Sequence, residues 1–391
     1  MVVEDRTTAC TTVYPLSPID IAQGDSHIMF VYFYRNRDRS KSFMPTEVLR
    51  QGFHVTTRRF SVLLGTLAQV DGRSVLVEDH SRPNKPRFEE KHVKTEFSEL
   101  ERSEYAWSQW PQDLDTRDVA ETATNKSAIA VIEMTRDRLE FDRNLLLHAV
   151  NYPSTVADIH TADNHDTIAS KDSTTLQATE PSSMHVIRFS AQSLQRMRRD
   201  FGSASASVSV NDVLSVLLWR SFTRASSPSA HTRILLACDV RKRINLSPLY
   251  MGNASFPLQL NIARDRLLGR PLSEGAQLIR NSVSHVDTGY IRECLEMLEH
   301  NKPILGAGEW DVDKSTFFCC TNCSRFGFYD TDFGCGTPEK VMIPHYLTPG
   351  FSIWLPTKDA GGIEVVISMS GSSFDSLCID KELLEYSQII L

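Results

Sequence analysis

Long hydrophobic runs, an excess of one charge and a dense set of cysteines are all missing from this chain of 391 residues. No apolar stretch approaches the roughly 18 residues of a membrane span, and residues 1–15 lack the apolar core of a secretory signal. Lys plus Arg is 42 and Asp plus Glu is 49, so the formal net charge is -7. A mildly acidic chain has no general attraction for nucleic acid or anionic lipid. We therefore expect neither nucleic acid nor a membrane as partner.

The cysteines are few and unevenly spread, with eight in the whole chain and four of them at 319, 320, 323 and 335. This pattern is not that of a disulfide framework and indicates a reducing, cytoplasmic compartment. Side chains alternate along a strand, so Cys320 and Cys323 should point to opposite faces and cannot readily share a metal ion. The His and Asp residues at 160–166 lie in a polar stretch that is typical of a solvated linker. No metal site is predicted.

Apolar periodicity predicts a chain of mixed strands and helices. Runs rich in β-branched and aromatic residues predict strands at 28–34, 74–79, 127–135, 144–152, 184–190, 233–240, 315–323, 324–336, 350–356 and 362–369. Helical spacing and capping residues predict helices within 46–70 and at 190–202, 207–225, 271–286, 290–301 and 373–390. Interspersed strands and helices indicate an α/β protein of two lobes.

The boundary between the lobes is expected in the polar, turn-rich stretch near 156–183. We assign residues 1–175 to an N-terminal lobe and residues 176–391 to a C-terminal lobe. About 100–200 residues per domain is an ordinary size, so the division suits the length of the chain.

Several short motifs, taken in order, resemble the BAHD acyl-CoA-dependent acyltransferases, and in particular fungal members of that family. Asp332-Phe333-Gly334-Cys335-Gly336 resembles the family's Asp-Phe-Gly-Trp-Gly signature, and Thr321-Asn322-Cys323 resembles its Thr-x-Trp. The other matches are Tyr14 to Pro18, Asn211 to Leu214 with Leu218 to Arg220, Asp239 to Arg243, Gly252 to Ala254, Pro349-Gly350 and Gly361 to Val365. The resemblance covers nearly the whole chain.

The resemblance implies a two-lobed, chloramphenicol-acetyltransferase-like α/β architecture with a channel between the lobes. It implies a monomer with acyl-CoA as co-substrate, no bound cofactor, and a small-molecule secondary metabolite as acceptor. In the family, a His followed four residues later by Asp supplies the general base that takes the acceptor's proton. An imidazole suits that task because its pKa lies near 7.

That motif is missing here, because none of the twelve His residues is followed four residues later by Asp. The family's motif belongs at the end of the predicted strand 144–152. One alignment places Asn151 at the His position; another keeps Asp158 as the Asp and places Ser154 at the His position. His148 and His160 lie nearby, and we name His148, Asn151 and Asp158 as candidate catalytic residues. Losing the base should cost roughly 10²–10⁴-fold in rate, while positioning and oxyanion stabilisation remain.

Other residues have roles that the resemblance implies. Thr321, Cys323 and Ser154 are expected to contact substrate. Asp332, Arg241, Arg243, Gly334 and Gly336 are expected to be structural, with Asp332 paired to Arg241 or Arg243. At 323 and 335, a cysteine stands where the family has a tryptophan, which would enlarge a pocket or be repacked by neighbours.

Three functions follow from these departures. The first is acyl transfer from acyl-CoA to a hydroxyl or amine of a fungal secondary metabolite, with a non-standard active site. The second is the same scaffold acting without CoA as a cyclase or isomerase of a polyketide or terpenoid intermediate, since one fold hosts several chemistries. The third is a non-catalytic binding paralogue.

Overall fold

The fold was analysed in a computed structural model that describes residues 11–22, 29–70, 73–83, 88, 90, 95–110, 146, 149–150, 182–201, 208–300, 317–344, 347, 349–359 and 361–390. The strands are β1 Thr11–Pro15, β2 Val31–Phe33, β3 Thr66–Val70, β4 Arg73–Asp79, β5 Ser182–Phe189, β6 His231–Asp239, β7 Ser255–Ala263, β8 Phe317–Asn322, β9 Lys340–Met342, β10 Phe351–Pro356, β11 Ile363–Ser370 and β12 Gln388–Ile389. The helices are α1 Pro18–Ala22, α2 Thr46–Arg59, α3 Phe97–Arg102, α4 Ala191–Phe201, α5 Val210–Ala225, α6 Arg264–Leu268, α7 Leu272–Ser284, α8 Thr288–Glu299, α9 Gly371–Leu377 and α10 Lys381–Leu384.

A mixed seven-stranded sheet with the order β12-β5-β11-β10-β8-β6-β7 dominates the described part of the chain. Within it, β6, β8 and β10 run parallel to one another, and the other pairs are antiparallel. Two smaller sheets, β1-β4-β3 and β2-β9, accompany it. This arrangement confirms the predicted mixed α/β class.

Alternating side chains of the large sheet enter two separate apolar cores. The core that we name the helical-face core joins the sheet to α4, α5, α7 and α8, and includes Ile187, Phe189, Met197, Trp219, Ile279, Leu295, Phe318, Trp354 and Val365. The N-terminal-face core joins the opposite side of the sheet to β2, β9 and the α3 region, and includes Phe33, Leu100, Tyr105, Met184, Val186, Val341, Ile353, Leu355 and Val366. The period of two along a strand explains this division.

Helix α5 is the most deeply buried helix in the described chain, and its start is fixed by a capping box. The Ser209 side chain accepts from the Asp212 backbone N–H, and the Asp212 carboxylate accepts from the Ser209 N–H. Such reciprocal bonds satisfy donors that a helix start leaves unpaired. Every residue from Asp212 to Thr223 is buried, and the Trp219 indole N–H donates to Thr232 at 2.9 Å.

The strand predicted at 144–152 is wrong at the positions that the structure describes. Leu146 and Ala149 are helical and Val150 lies in a turn. Leu146 and Val150 are both fully buried in the helical-face core. Residues four apart share a helix face, so burial of this pair follows from helical rather than extended backbone. The strand predicted at 127–135 lies outside the described residues.

Three further predictions differ from the structure, one in the type of element and two in their boundaries. Residues 324–336 form turns and a 3-10 helix at Phe328–Asp330 rather than a strand. The predicted helix within 46–70 ends at Arg59, and 66–70 is strand β3. The predicted helix 373–390 is split into α9, α10 and β12, because the Asp380 carboxylate caps a new helix by accepting from Glu382 and Leu383.

The remaining long predicted strands and helices of the C-terminal half are confirmed, with ends shifted by a few residues. The assumed lobe boundary near 175 lies outside the described residues and stays a prediction. Within the described ranges, none of the helices combines the length and the apolar character needed to cross a bilayer.

Candidate functional site

The carboxyl ends of the three parallel strands form one edge of the large sheet, and polar residues gather there. Strand β6 ends at Asp239 and β8 ends at Asn322. In open α/β sheets, ligands commonly bind beyond the carboxyl ends of parallel strands. This edge is therefore the candidate site.

Thr321 lies one residue before the end of β8 and is half-buried. It is paired in register with Ile353, which belongs to the N-terminal-face core. Neighbouring residues in register share a face of the sheet, so Thr321 points to the side covered by the N-terminal elements. Its hydroxyl has no hydrogen-bond partner among the described residues. A half-buried hydroxyl in that state can donate to a ligand oxygen.

The start of helix α5 is attached to the end of β8. The Asn322 side-chain amide donates to the Asn211 side-chain oxygen at 2.7 Å, and the Asn322 oxygen accepts from the Ser324 N–H at 2.9 Å. At the residue after Asn211, Arg280 of α7 donates to the buried Asp212 carboxylate. These contacts fix the carboxyl end of β8 against a rigid helix.

The cysteines around Thr321 are packed as apolar residues. Cys320 lies in the helical-face core and Cys323 in the N-terminal-face core, so the two thiols point apart as strand alternation predicts. Burial raises the pKa of the Cys323 thiol to about 11 and that of Cys319 to about 12. The pKa of Cys320 is also raised, first by burial and then by the neighbouring Cys319. These thiols are protonated at neutral pH, and their geometry does not suit joint metal ligation.

Asp332 organises its own loop, and the predicted pairing with Arg241 or Arg243 is wrong. One carboxylate oxygen of Asp332 accepts from the backbone N–H groups of Gly334, Cys335 and Gly336 at 2.7–2.9 Å. Gly334 and Gly336 have φ of +90° and +91°, a conformation that side chains rarely adopt. The loop closes on the Asp332 carboxylate, so no distant cation is needed.

The two arginines bond closer to their own strand. Arg241 pairs with Asp239 at 3.0 Å and donates to the carbonyl oxygens of Tyr250 and Gly252. Arg243 donates to the Val286 carbonyl at 3.1 Å. Arg241 begins a 3-10 helix two residues after Asp239, so that carboxylate is the nearest available partner.

Cys335, which stands where the family has tryptophan, accepts a hydrogen bond instead. The Met44 backbone N–H donates to the Cys335 sulfur at 3.0 Å. Met44 has a positive φ of 45°. The contact joins the 331–336 loop to the residues just before α2.

The other predicted site residues, His148, Asn151, Ser154 and Asp158, lie outside the described residues, as does His160. Their roles stay predictions. The segment leading to them is anchored, because Arg292 of α8 donates from Nε and an Nη atom to the Val150 carbonyl at 3.3 and 2.9 Å. Val150 itself is fully buried.

Sequence reasoning missed the contacts of Asn322 and Arg292. An asparagine at the end of a predicted strand signals a polar strand end, but its partner Asn211 is 111 residues away and no local pattern reveals it. Arg292 occurs in an ordinary amphipathic helix, where a charged residue is expected to face solvent. Long-range pairing can be found only from the fold.

The chain is similar to known transferases in sequence and in fold. The model of the Transferase family matches residues 117–384. Putrescine hydroxycinnamoyltransferase 3 of Oryza sativa subsp. japonica is 32% identical over 155 residues, which are 36% of this chain and 34% of that protein. Hydroxycinnamoyltransferase 2 of the same organism is 28% identical over 210 residues, 51% of this chain and 46% of that protein. The chain thus matches a third to a half of the length of these curated relatives.

Two solved structures share the fold over almost the whole chain. TRI101 of F. graminearum, crystallised with coenzyme A and T-2 mycotoxin, superposes with a TM-score of 0.67 at 18% identity and covers 97% of this chain and 100% of that one. Vinorine synthase superposes with a TM-score of 0.60 at 16% identity and covers 97% of this chain and 94% of that one. The family match spans more than half of the chain, and we conclude that it belongs to the Transferase family, that of the BAHD acyltransferases.

Proposed function

We propose that this protein transfers an acyl group from acyl-CoA to a hydroxyl or amine of a small secondary metabolite. The observation that carries the proposal is Thr321, a half-buried hydroxyl without a described partner at the carboxyl edge of the parallel strands. Coenzyme A and T-2 mycotoxin are bound in the TRI101 crystals, which supports an acyl-CoA donor and a small-molecule acceptor.

In this mechanism, Thr321 donates a hydrogen bond to the oxygen that becomes negative as the acceptor attacks the thioester. A preorganised donor aimed at developing charge lowers the barrier more than one that must reorient. The contact between Asn322 and Asn211 keeps the end of β8 in place, so the hydroxyl is held before the substrates arrive. Binding donor and acceptor side by side supplies the remaining acceleration.

The active site is non-standard because no imidazole stands at the family's general-base position. His148 and Asp158 are the candidate replacements, with His160 as a further one. Either Asn151 or Ser154 stands at the vacated position, according to which of the two alignments is used. Without a replacement, transfer would be slower by roughly 10²–10⁴-fold. An acceptor that needs little help from a base then suits the site better than an aliphatic alcohol. Examples are an amine, which attacks as its neutral form, and a phenol, which loses its proton readily.

The cysteines do not favour a CoA-free reaction. Cys323 is 7% exposed and packed in the N-terminal-face core, and the Cys335 sulfur is occupied by the Met44 N–H. Neighbouring side chains therefore fill the space that a tryptophan would occupy at position 323. A non-catalytic binding paralogue is one outcome of the test below.

The test is release of free CoA thiol by the purified protein with acetyl-CoA and longer acyl-CoA donors, against a panel of amines, phenols and alcohols. We expect release that depends on acceptor and falls at least 10-fold in Thr321→Val, which keeps the branched shape but loses the donor. Thr288→Val, an exposed threonine at the start of α8, is the matched control and should behave as wild type.

Two results would reject the proposal. Absence of acceptor-dependent thiol release together with calorimetric binding of coenzyme A would identify a non-catalytic binder. Conversion of a precursor in the absence of any acyl-CoA would instead identify the cyclase or isomerase.

A further inference from the structure

A second group of chemically active side chains lies far along the chain from the candidate site, on the β1–β4 strand pair. Thr12 of β1 is paired in register with Glu78 of β4, so the two side chains share one face. His80 follows two residues after Glu78 and returns to that face. Tyr14, two residues after Thr12, completes the group.

The geometry is that of a nucleophile, a base and an orienting carboxylate. The Thr12 hydroxyl oxygen lies 2.8 Å from Nε2 of His80, and Nδ1 of His80 lies 3.4 Å from the Glu78 carboxylate. A neutral imidazole with its proton on Nδ1 faces the carboxylate and leaves the Nε2 lone pair for the Thr12 proton. Contacts of this kind are often longer before a substrate binds.

The orienting carboxylate of the group is buried, and the base is exposed, as a catalytic site requires. The Glu78 side chain is 4% exposed, whereas that of His80 is 49% exposed. The second carboxylate oxygen of Glu78 accepts from the Tyr14 hydroxyl at 3.1 Å. No lysine or arginine neutralises Glu78 within the described ranges, so the imidazole is its cationic partner when protonated. A buried carboxylate needs such partners, and this one orients a ring that substrates can reach.

The nucleophile is on an edge strand. In the sheet order β1-β4-β3, β1 has a strand neighbour on one side only, within the described chain. Alternate backbone N–H groups of an edge strand point away from its ladder. Such donors beside a nucleophile can bind the oxygen of a tetrahedral intermediate.

We propose that Thr12, His80 and Glu78 form a second acyl-accepting site, which hydrolyses activated acyl esters or thioesters through an acyl-threonine. The Thr12 oxygen attacks the acyl carbon while Nε2 of His80 takes the hydroxyl proton. The tetrahedral intermediate expels the alcohol or thiol, which receives that proton. Water then attacks the acyl-Thr12 ester and gives its proton to Nε2; the carboxylic acid leaves and the proton returns to Thr12.

In this reaction, Thr12 and His80 are the catalytic residues, and Glu78 and Tyr14 are positioning residues. Glu78 acts through His80, because it holds the imidazole in the required tautomer and stabilises the imidazolium that forms. Neither CoA-dependent transfer nor Thr321 enters the mechanism. The second site can therefore be tested independently of the proposed acyl transfer, and failure of one proposal does not imply failure of the other.

The experiment uses the full chain with p-nitrophenyl acetate, in the absence of CoA and of any acceptor other than water. We expect p-nitrophenol release and, after acid quenching, peptide mass spectrometry that finds one acetyl group on Thr12. Thr12→Val should abolish the adduct, and His80→Gln should lower the release rate about 10²-fold. Glu78→Gln should lower the rate and shift its pH profile, a readout that a purely structural carboxylate would not move.

Matched control variants distinguish loss of the proposed site from general loss of folding. Thr11→Val changes the adjacent threonine of β1, and His54→Gln changes an exposed histidine of α2; both should release p-nitrophenol as the wild type does. Thr12→Ser, which restores a hydroxyl, should restore the adduct. The proposal is overturned if no acetyl group is found on Thr12, or if wild type and Thr12→Val release p-nitrophenol equally.

Discussion

The two faces of the seven-stranded sheet are built differently. The helical-face core is mostly apolar, and within it the Trp219 indole and the Thr223 hydroxyl both contact the Thr232 hydroxyl. Its buried charges lie along α5, where Asp212 pairs with Arg280 and Arg220 pairs with Glu382. On the N-terminal-face side, a buried ion pair joins the large sheet to β9. Lys340 lies 2.5 Å from Glu364, and their side chains are 8% and 3% exposed.

Two further charged groups, Arg188 and Glu104, extend this ion pair toward the surface. Arg188 bonds to Glu364 at 2.9 Å and to Glu104 at 3.0 Å, so a chain of four charged groups joins β9, β11, β5 and the end of α3. Buried ion pairs gain little net stability, because desolvation offsets most of their attraction. Thr321 points to this same side. The two faces therefore differ in where their buried charges lie. Those of the helical face lie along α5, whereas those of the N-terminal face join strands on the side to which Thr321 points.

The largest effect is expected on the helical face. Trp219→Ala removes a fully buried side chain and should lower the free energy of unfolding by about 3–5 kcal/mol. Urea denaturation followed by circular dichroism measures the change. Phe326→Ala, at a side chain that is 59% exposed, is the control and should change it by less than about 0.5 kcal/mol. Equal losses in both variants would contradict the assignment of the core.

On the N-terminal face, Glu364→Gln leaves the Lys340 ammonium buried without its carboxylate. The expected loss is about 3 kcal/mol, measured in the same way. Lys340→Met combined with Glu364→Gln removes both charges and should recover most of that loss. If the double variant loses as much stability as Glu364→Gln and Lys340→Met lose separately in sum, the two charges do not interact. That result would contradict a buried ion pair on the N-terminal face.

The sequence predicts those elements whose formation depends on residues close together in the chain. Helix α5 and strands β5 and β11 were predictable, because their apolar runs are long and their caps or turns are adjacent in sequence. The run at 144–152 was not, since short apolar runs occur in helices and strands alike. The same limit applies to 373–390, where the Asp380 cap restarts the helix.

The candidate site was predictable to a similar degree. Thr321 and the loop at Asp332 come from short motifs. The partners of Asp332 could not be predicted from the sequence. A carboxylate suggests an arginine as its partner, whereas the actual donors are three backbone N–H groups of its own loop. The contact of Asn322 with Asn211 depends on how β8 meets α5.

A smaller effect is expected at the loop that carries the signature motif. Asp332→Ala removes the acceptor of three backbone N–H groups, and the exposed loop should lose about 1 kcal/mol. Hydrogen exchange at Gly334 and Gly336 should become faster while that of β11 stays unchanged. Asp332→Asn keeps a side-chain oxygen and should lie between the two. Unchanged exchange in Asp332→Ala would show that the carboxylate does not organise the loop.

The smallest effect concerns the buried thiols. Because burial raises the pKa of Cys323 from 9.0 to about 11, its contribution to stability is complete below the unfolded pKa and is lost as the pH rises toward the folded one. The free energy of unfolding should therefore fall between about pH 9 and 11, and less steeply in Cys323→Ala. Alkylation at pH 8 should reach half-buried Cys335 before Cys323. The reverse order of labelling would contradict the packing of Cys323.

We propose that this chain moves an acyl group from CoA with Thr321 at the reacting centre. The most direct measurement is mass spectrometry of an acceptor mixture incubated with isotope-labelled acetyl-CoA and either wild type or Thr321→Val. We expect labelled, acylated acceptor with wild type and at least 10-fold less with Thr321→Val. Equal labelling by both proteins, or none by either, would contradict it.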